Sequence, residues 1–102
     1  MNLKKMITIE NEPLPGVFIL NTIKFQDVRG NFFKIYNEEN FNKIGIKFNP
    51  KEYFFSTSKI NVLRGMHFQN GKFAHDKLVF CSFGKILDVI VDVRKNSQHF
   101  NK

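Results

Sequence analysis

A cluster of polar side chains interrupts the stretch 61–69, which reads "NVLRGMHFQ". Its apolar residues are typical of a strand in a core, yet Arg64, His67 and Gln69 can carry charge, transfer a proton or donate hydrogen bonds. They form the first candidate site in the chain. Composition alone favours a plainer alternative for His67, a core histidine hydrogen-bonded to a backbone carbonyl.

The spacing of these residues predicts which of them share a surface. In a regular strand, successive side chains alternate between two faces. Leu63, Gly65, His67 and Gln69 then share one face, so His67 and Gln69 point together into whatever space that face encloses. Arg64 points to the other face, unless a bulge near Gly65 rotates it inward.

Lys77 is the next candidate, because it follows the loop 70–76 and opens another strand-like run. An ammonium at this place could stabilise a developing oxyanion, or it could be a solvated lysine at a strand end. Spacing does not choose between the two. A metal site is disfavoured, because zinc or iron requires three or four ligands and the histidines are only His67, His75 and His99.

The elements that position these residues are mostly extended. The run 17–25 ("VFILNTIKF") follows Pro15-Gly16 and predicts a strand, 26–30 ("QDVRG") a turn, and "NFFKIY" a second strand. In 38–45, Phe41 and Ile44 have helical spacing before a terminal glycine, which predicts one short helix.

Beyond Pro50 the pattern predicts strands only, with apolar and polar residues alternating most clearly in the last of them. About six short strands and one helix indicate a mostly antiparallel β fold, a sandwich or a barrel. The predicted strands are "EYFFSTS", "NVLRGMHF", "KLVFCSF" and "KILDVIVDVR".

Length and composition restrict the classes of protein. A chain of 102 residues with 42% hydrophobic content suffices for one domain, 1–102. The net charge of +7 is spread along the chain, which disfavours nucleic acid as a partner and fits a lysine-rich surface that steers an anionic ligand.

The remaining composition signals concern compartment and redox chemistry. Cys81 is the single cysteine and lies in the apolar run 78–81, so a buried thiol is predicted rather than a nucleophile or a ligand. No stretch has the length of a membrane span, and the first residues lack a secretory h-region, so membrane association is not expected and the cytoplasm is the default compartment.

These runs resemble a known enzyme family. "VLRGMHFQ", followed by "KLVFCSFGKILDVIVDVRKNS", closely resembles the dTDP-4-dehydrorhamnose 3,5-epimerases, as does the earlier "GVFILNTIKFQDVRGNFFKIYNEENF". Arg-Gly-x-His alone is a weak motif, but three matching blocks in order are strong. The resemblance implies a cupin-like jelly roll, incomplete at its carboxyl end because the blocks cover the first half or somewhat more of a typical member.

The resemblance also implies an activity and a partner. Family members use no metal or cofactor, are usually dimeric, and epimerise C3 and C5 of a dTDP-linked 4-keto-6-deoxy sugar on the route to dTDP-rhamnose. His67 stands at the position of the general base and Lys77 at that of the group supporting the enolate oxygen. The positions of substrate-binding residues are occupied by Arg29, Phe32, Arg64 and Gln69.

Some family positions differ or fall outside the chain. The family's general acid is a tyrosine downstream of the histidine, whereas Tyr36 and Tyr53 lie upstream of it. Lys34 replaces a frequent glutamate, and Phe54 a frequent polar residue. The alternatives are therefore a related sugar 3,4-ketoisomerase and a non-catalytic remnant that binds the nucleotide sugar, and we expect the isolated chain to oligomerise through unpaired sheet edges.

Overall fold

The computed structural model describes residues 6–101. They divide into two compact units, a first unit made of 6–47 and 80–101 and a second unit made of 48–79. Regular secondary structure is concentrated in the first unit, which contains two antiparallel hairpins and one α-helix. The prediction of a mostly β chain with one short helix is confirmed at this level.

The first hairpin pairs β1 (Ile7–Leu14) with β2 (Val17–Thr22). Its turn is Pro15-Gly16, where Gly16 adopts a φ of 84°, a region that favours glycine because it has no Cβ. The pairing is irregular at two places, between Ile9 and Asn11 and between Asn11 and Leu14. The sequence prediction began with the second of these strands and missed the first.

The second hairpin pairs β3 (Phe25–Asp27) with β4 (Gly30–Phe32). The predicted turn over 26–30 is confirmed, because Asp27 pairs with Gly30 and the chain reverses between them. The predicted strand 17–25 is in fact divided, since the pairing with β1 ends at Thr22 and β3 begins at Phe25. The side chain of Thr22 donates to the carbonyl of Lys34 at 2.7 Å.

The helix α1 (Glu38–Lys43) lies where the sequence predicts it, although it ends earlier than Gly45. Asn37 caps its amino end by accepting a hydrogen bond from the N–H of Asn40. Glu38 and Glu39 occupy the first turn and Lys43 the last, the arrangement that the helix dipole favours. Local signals are therefore sufficient to place this element.

The core of the first unit is small. Met6, Ile7 and Phe41 are 1%, 2% and 2% exposed, and they are the buried apolar residues of the described chain. The ring of Tyr36 packs edge-on against Phe41 with centroids 4.7 Å apart. Asn40 is also buried, and its Oδ1 accepts a hydrogen bond from the backbone N–H of Ile7. This hydrogen bond joins the helix to β1.

The strand predictions beyond Pro50 are wrong for the described residues. The only regular element there is a 3₁₀ turn, Gly71–Phe73, and one isolated bridge joins Asp92 to Phe100. A strand needs a neighbour about 4.8 Å away to accept its backbone hydrogen bonds, and apart from the single bridge at Asp92 these segments have no such neighbour in the described structure. They are the four predicted strands 52–58, 61–68, 77–83 and 85–94.

Apolar side chains in these segments are consequently exposed. Leu87 is 90% exposed, and its neighbour Ile86, which would point to the other side of a strand, is 64% exposed, so neither side is covered at this point of 85–94. The prediction of a buried Cys81 is also wrong, because its thiol is exposed and donates to the carbonyl of Phe83 at 3.2 Å. An apolar run buries a side chain only where another element packs on it. Within residues 6–101, no helix is both long and apolar enough to cross a membrane.

Candidate functional site

Among the predicted site residues of the second unit, Arg64 is the one whose side chain makes hydrogen bonds in the described structure. Its Nε donates to the Oγ of Ser58 at 2.9 Å, and its Nη2 donates to the backbone carbonyl of Thr57 at 3.0 Å. Both acceptors come from the segment just before the "NVLRGMHFQ" run. The guanidinium is therefore fixed by local chain, although the side chain is exposed.

His67 lies beside an unusual backbone position. Gly65 has a φ of 125°, which favours glycine, and a Cβ built on it would lie 3.9 Å from the Nδ1 of His67. The stretch is not a strand, so the predicted division of Arg64, His67 and Gln69 between two faces does not hold. His67 and Gln69 are exposed, and the alternative of a core histidine is not observed.

Lys77 follows the turn that separates it from His67. Asn70 caps that turn by accepting from the N–H of Gly71, and His75 places its Nδ1 3.0 Å from the carbonyl of Phe73. Lys77 itself is exposed. Within residues 48–79, no hydrogen bond or ion pair joins Lys77 to Arg64, His67 or Gln69.

Arg29 and Phe32 belong to the first unit. Arg29 donates to Asp27 through Nε and Nη2, the shortest of these distances being 2.6 Å, and its side chain is 87% exposed. The Arg29 guanidinium holds the pKa of the Asp27 carboxyl below its usual range. Phe32 is 56% exposed, with its ring centroid 6.4 Å from that of Phe25. Both residues sit at the β3–β4 hairpin.

A second ionic cluster surrounds Asp92, whose side chain is 2% exposed. Arg94 donates to this carboxylate through Nε and Nη2, each at 2.9 Å, and the hydroxyl of Ser97 donates to Oδ2. These donors, Arg94 first, lower the pKa of Asp92 strongly. A carboxylate held this way is a poor proton acceptor, so the cluster fastens the turn 94–101 rather than performing acid–base chemistry.

Two surface depressions of the first unit are lined by none of the predicted site residues. One of about 510 Å³ runs along α1 and is lined by Glu38, Glu39, Asn42 and Lys43. Another of about 340 Å³ lies at the 94–99 turn and is lined by Pro15, Arg94, Asn96, Ser97, Gln98 and His99. In the described part of the chain, no three His, Cys, Asp or Glu side chains are grouped as metal ligands.

Comparison with known proteins identifies the family. The family model described as dTDP-4-dehydrorhamnose 3,5-epimerase matches residues 11–102. The chain belongs to this epimerase family. A relative of that name from Salmonella typhimurium is 44% identical over 98 residues, covering 95% of this chain and 54% of the relative. One from Escherichia coli is 45% identical over 90 residues, covering 87% and 49%.

The likeness extends beyond enteric bacteria. A dTDP-4-dehydrorhamnose 3,5-epimerase from Methanothermobacter thermautotrophicus is 38% identical over 89 residues, covering 87% of this chain and 48% of the relative. This chain thus spans about half the length of the curated epimerases it matches. No solved structure matches it. The matched region includes every predicted site residue, from Arg29 to Lys77.

Sequence reasoning missed the hydrogen-bond partners of Arg64 and the cluster around Asp92. The strand prediction gives Ser58 and Thr57 no other role, although a run of hydroxyl side chains about six positions before an arginine offers it acceptors. The Asp92 cluster was likewise assigned to strand faces. Its signal is the spacing in "DVRKNS", which allows Arg94 and Ser97 to fold back on the carboxylate.

Proposed function

We propose that this chain carries the proton-abstracting and nucleotide-binding part of a dTDP-4-dehydrorhamnose 3,5-epimerase. The observation that carries the proposal is the match of the family model of that name over 11–102, which includes the "RGMH" run, together with the similarity to curated enzymes of that name. The substrate class is a dTDP-linked 4-keto-6-deoxy sugar. The reaction removes and returns a proton at a carbon next to the ketone.

The chemistry explains the choice of residues. A proton α to a ketone can be removed when the enolate oxygen is stabilised, and an imidazole titrates in the range suited to this base role. His67 takes the proton, and the ammonium of Lys77 stabilises the negative charge that develops on the ketone oxygen. The exposure of both side chains leaves them accessible to a ligand.

Four residues are proposed to bind the substrate, each argued from its own chemistry. The guanidinium groups of Arg29 and Arg64 suit the diphosphate, since their planar fork matches phosphate oxygens. Phe32 offers an exposed ring to the nucleotide and Gln69 an amide to the sugar. Lys34 and Phe54, which differ from the residues frequent in the family, bear on which sugar is accepted.

Deuterium exchange tests the base without requiring inversion. Exchange at C3 or C5 needs only proton removal and return on one face, whereas inversion needs an acid on the opposite face as well. We expect the substrate to exchange in D₂O with this chain, and the exchange to fall by about 100-fold or more in His67→Ala. The matched control is His75→Ala, which removes a histidine of the same unit and should leave exchange unchanged.

A chimera extends the test to full turnover. In it, residues 1–102 replace the matching half of the Salmonella typhimurium relative. We expect epimerisation that is lost in His67→Ala and strongly reduced in Lys77→Met, but retained in Lys72→Met. Absence of His67-dependent exchange in the chimera would sink the proposed function. A 3-keto product seen by NMR would instead assign ketoisomerase chemistry, and dTDP binding without exchange would assign a binding role.

The assembly expected of this protein is a homodimer. The support is the family's usual state together with the apolar side chains exposed in the second unit, including Tyr53, Phe54 and Phe55 at 79%, 80% and 93%. Light scattering coupled to size-exclusion chromatography should give twice the chain mass. A monodisperse monomer that unfolds cooperatively would contradict this expectation.

A further inference from the structure

The arginines of this chain are held in two different ways. Arg29 donates hydrogen bonds from Nε and Nη2 to the carboxylate of Asp27, and Arg94 donates from the same two nitrogens to the carboxylate of Asp92. Arg64 uses the same two nitrogens on neutral oxygens. Within residues 6–101, no carboxylate lies in ion-pair contact with Arg64.

This difference decides what each arginine can offer a ligand. A guanidinium paired with a carboxylate can still donate from its Nη1 end, but the carboxylate offsets part of its charge, so it attracts a second anion more weakly than an unpaired guanidinium does. Arg64 keeps its full charge because a hydroxyl and a carbonyl carry none. Its Nη1 and the remaining Nη2 hydrogen are left for an anion, on the end of the guanidinium opposite to the Nε side.

The two oxygens that accept hydrogen bonds from Arg64 also reduce the conformational entropy that its side chain loses on binding a ligand. A free arginine side chain samples many rotamers and loses that freedom when it grips a ligand. Hydrogen bonds to Ser58 and Thr57 restrict those rotamers before any ligand arrives. The carbonyl of Thr57 is part of the backbone, so of the two acceptors only the hydroxyl of Ser58 can be removed by a substitution.

We propose that Ser58 is a positioning residue for Arg64, holding its guanidinium through a neutral contact so that the Nη1 end binds a phosphate oxygen of the nucleoside diphosphate. The inference rests on the proposed function for the identity of the anion. It goes further in assigning Ser58 a role in affinity, and in requiring that the residue at 58 be a neutral acceptor.

Substitutions at Ser58 distinguish an effect on the position of the Arg64 guanidinium from an effect on its charge. Ser58→Ala removes the acceptor, Ser58→Thr retains a hydroxyl, and Ser58→Asp supplies a carboxylate that copies the Asp27–Arg29 pair. Ser56 is the matched control, since it is an exposed serine of the same segment with no hydrogen bond to Arg64 in the described structure. Ser56→Ala and Ser56→Asp therefore report the effect of the substitution itself.

Calorimetry of dTDP binding to the full 102-residue chain measures the result. We expect dTDP to bind about fivefold more weakly to Ser58→Ala and about tenfold or more weakly to Ser58→Asp. Ser58→Thr should restore wild-type binding, and the Ser56 variants should stay within about twofold of it. In an Arg64→Ala background, Ser58→Ala should cause no further loss. Wild-type affinity in Ser58→Ala, or an equal loss in both backgrounds, would overturn the proposal.

A measurement without ligand keeps the two proposals distinguishable. The Nε–H proton of Arg64, followed by nitrogen-15 NMR, should exchange with water more slowly in the wild-type chain and in Ser58→Thr than in Ser58→Ala. If the wild-type chain fails to bind dTDP, the proposed function is contradicted, and this signal alone decides the positioning role. Equal exchange rates in the wild-type chain and Ser58→Ala would overturn it.

Discussion

The backbone N–H of Ile7 donates to the Oδ1 of Asn40 at 3.3 Å, joining β1 to α1 across 33 residues of chain. Both residues are buried, so no water can replace this acceptor if it is lost. The side-chain amide of Asn40 also donates through Nδ2 to the Oδ1 of Asn37, the residue that caps the helix. One side chain therefore connects the hairpin, the helix and its cap.

Replacing Asn40 should destabilise the first unit more than the loss of so small a side chain would by itself. Asn40→Ala leaves the Ile7 N–H buried and unpaired, which should lower the free energy of unfolding by about 1–3 kcal/mol in urea titrations followed by circular dichroism. Asn40→Asp keeps the acceptor for Ile7 but replaces the Nδ2 donor to Asn37 Oδ1 by an oxygen and buries a charge, so it should cost at least as much. The control is the exposed Asn42→Ala on the same helix, and equal losses at 40 and 42 would contradict the assignment.

The carboxyl of Asp92 should titrate well below the ordinary aspartate range. Its folded pKa is lowered by Arg94 first and Ser97 second, so the stabilisation is fully present above the unfolded pKa and disappears as pH falls through the folded one. Carbon-13 NMR of the carboxyl should show the midpoint rising in Ser97→Ala and rising further in Arg94→Ala. Asn96→Ala should not move it, and an unshifted wild-type midpoint would refute the cluster.

Cys81 should react readily in the native chain. Its exposed thiol is the single cysteine, so one equivalent of a chromogenic disulfide reagent should be consumed at a rate close to that in denaturant. Cys81→Ser provides the blank. Protection by several orders of magnitude under native conditions would mean that 78–83 is covered in solution.

Backbone amides that donate a hydrogen bond to another backbone group should exchange with solvent more slowly than amides without such a partner. The amides of Ile23 and Phe41, which donate to the carbonyls of Met6 and Asn37 at 2.8 and 2.9 Å, should be protected. Those of Val62 and Leu63, which have no ladder partner in the described structure, should exchange at rates near those of an open chain. Uniform protection across 61–68 would indicate a paired strand there.

The elements that sequence could predict are those specified by neighbours in the chain. The turn between β3 and β4 is stabilised by Asp27, which accepts from the N–H of Arg29 two positions on, and α1 by Asn37, which accepts from Asn40 three positions on. Such contacts follow from residue type and short spacing. The predicted strand 61–68 depends on a distant partner, and no local rule supplies one.

The same distinction applies to the candidate site. Residue types and motif spacing were enough to nominate Arg64, His67 and Lys77, and their region falls within the family match. The contact between Arg64 and Ser58 was not predictable from alternation, because it requires the chain to fold back on itself over six residues. A strict strand would have placed these two side chains too far apart.

The two irregularities in the β1–β2 register have a consequence for how this hairpin meets other molecules. Bulges bend and twist a strand, and β1 adds the charges of Glu10 and Glu12 and the missing N–H of Pro13. A strand shaped and charged in this way is a poor template for addition of a foreign strand. Unwanted intermolecular β pairing should therefore begin in the exposed, uncharged run 53–55 and spare the amino-terminal hairpin.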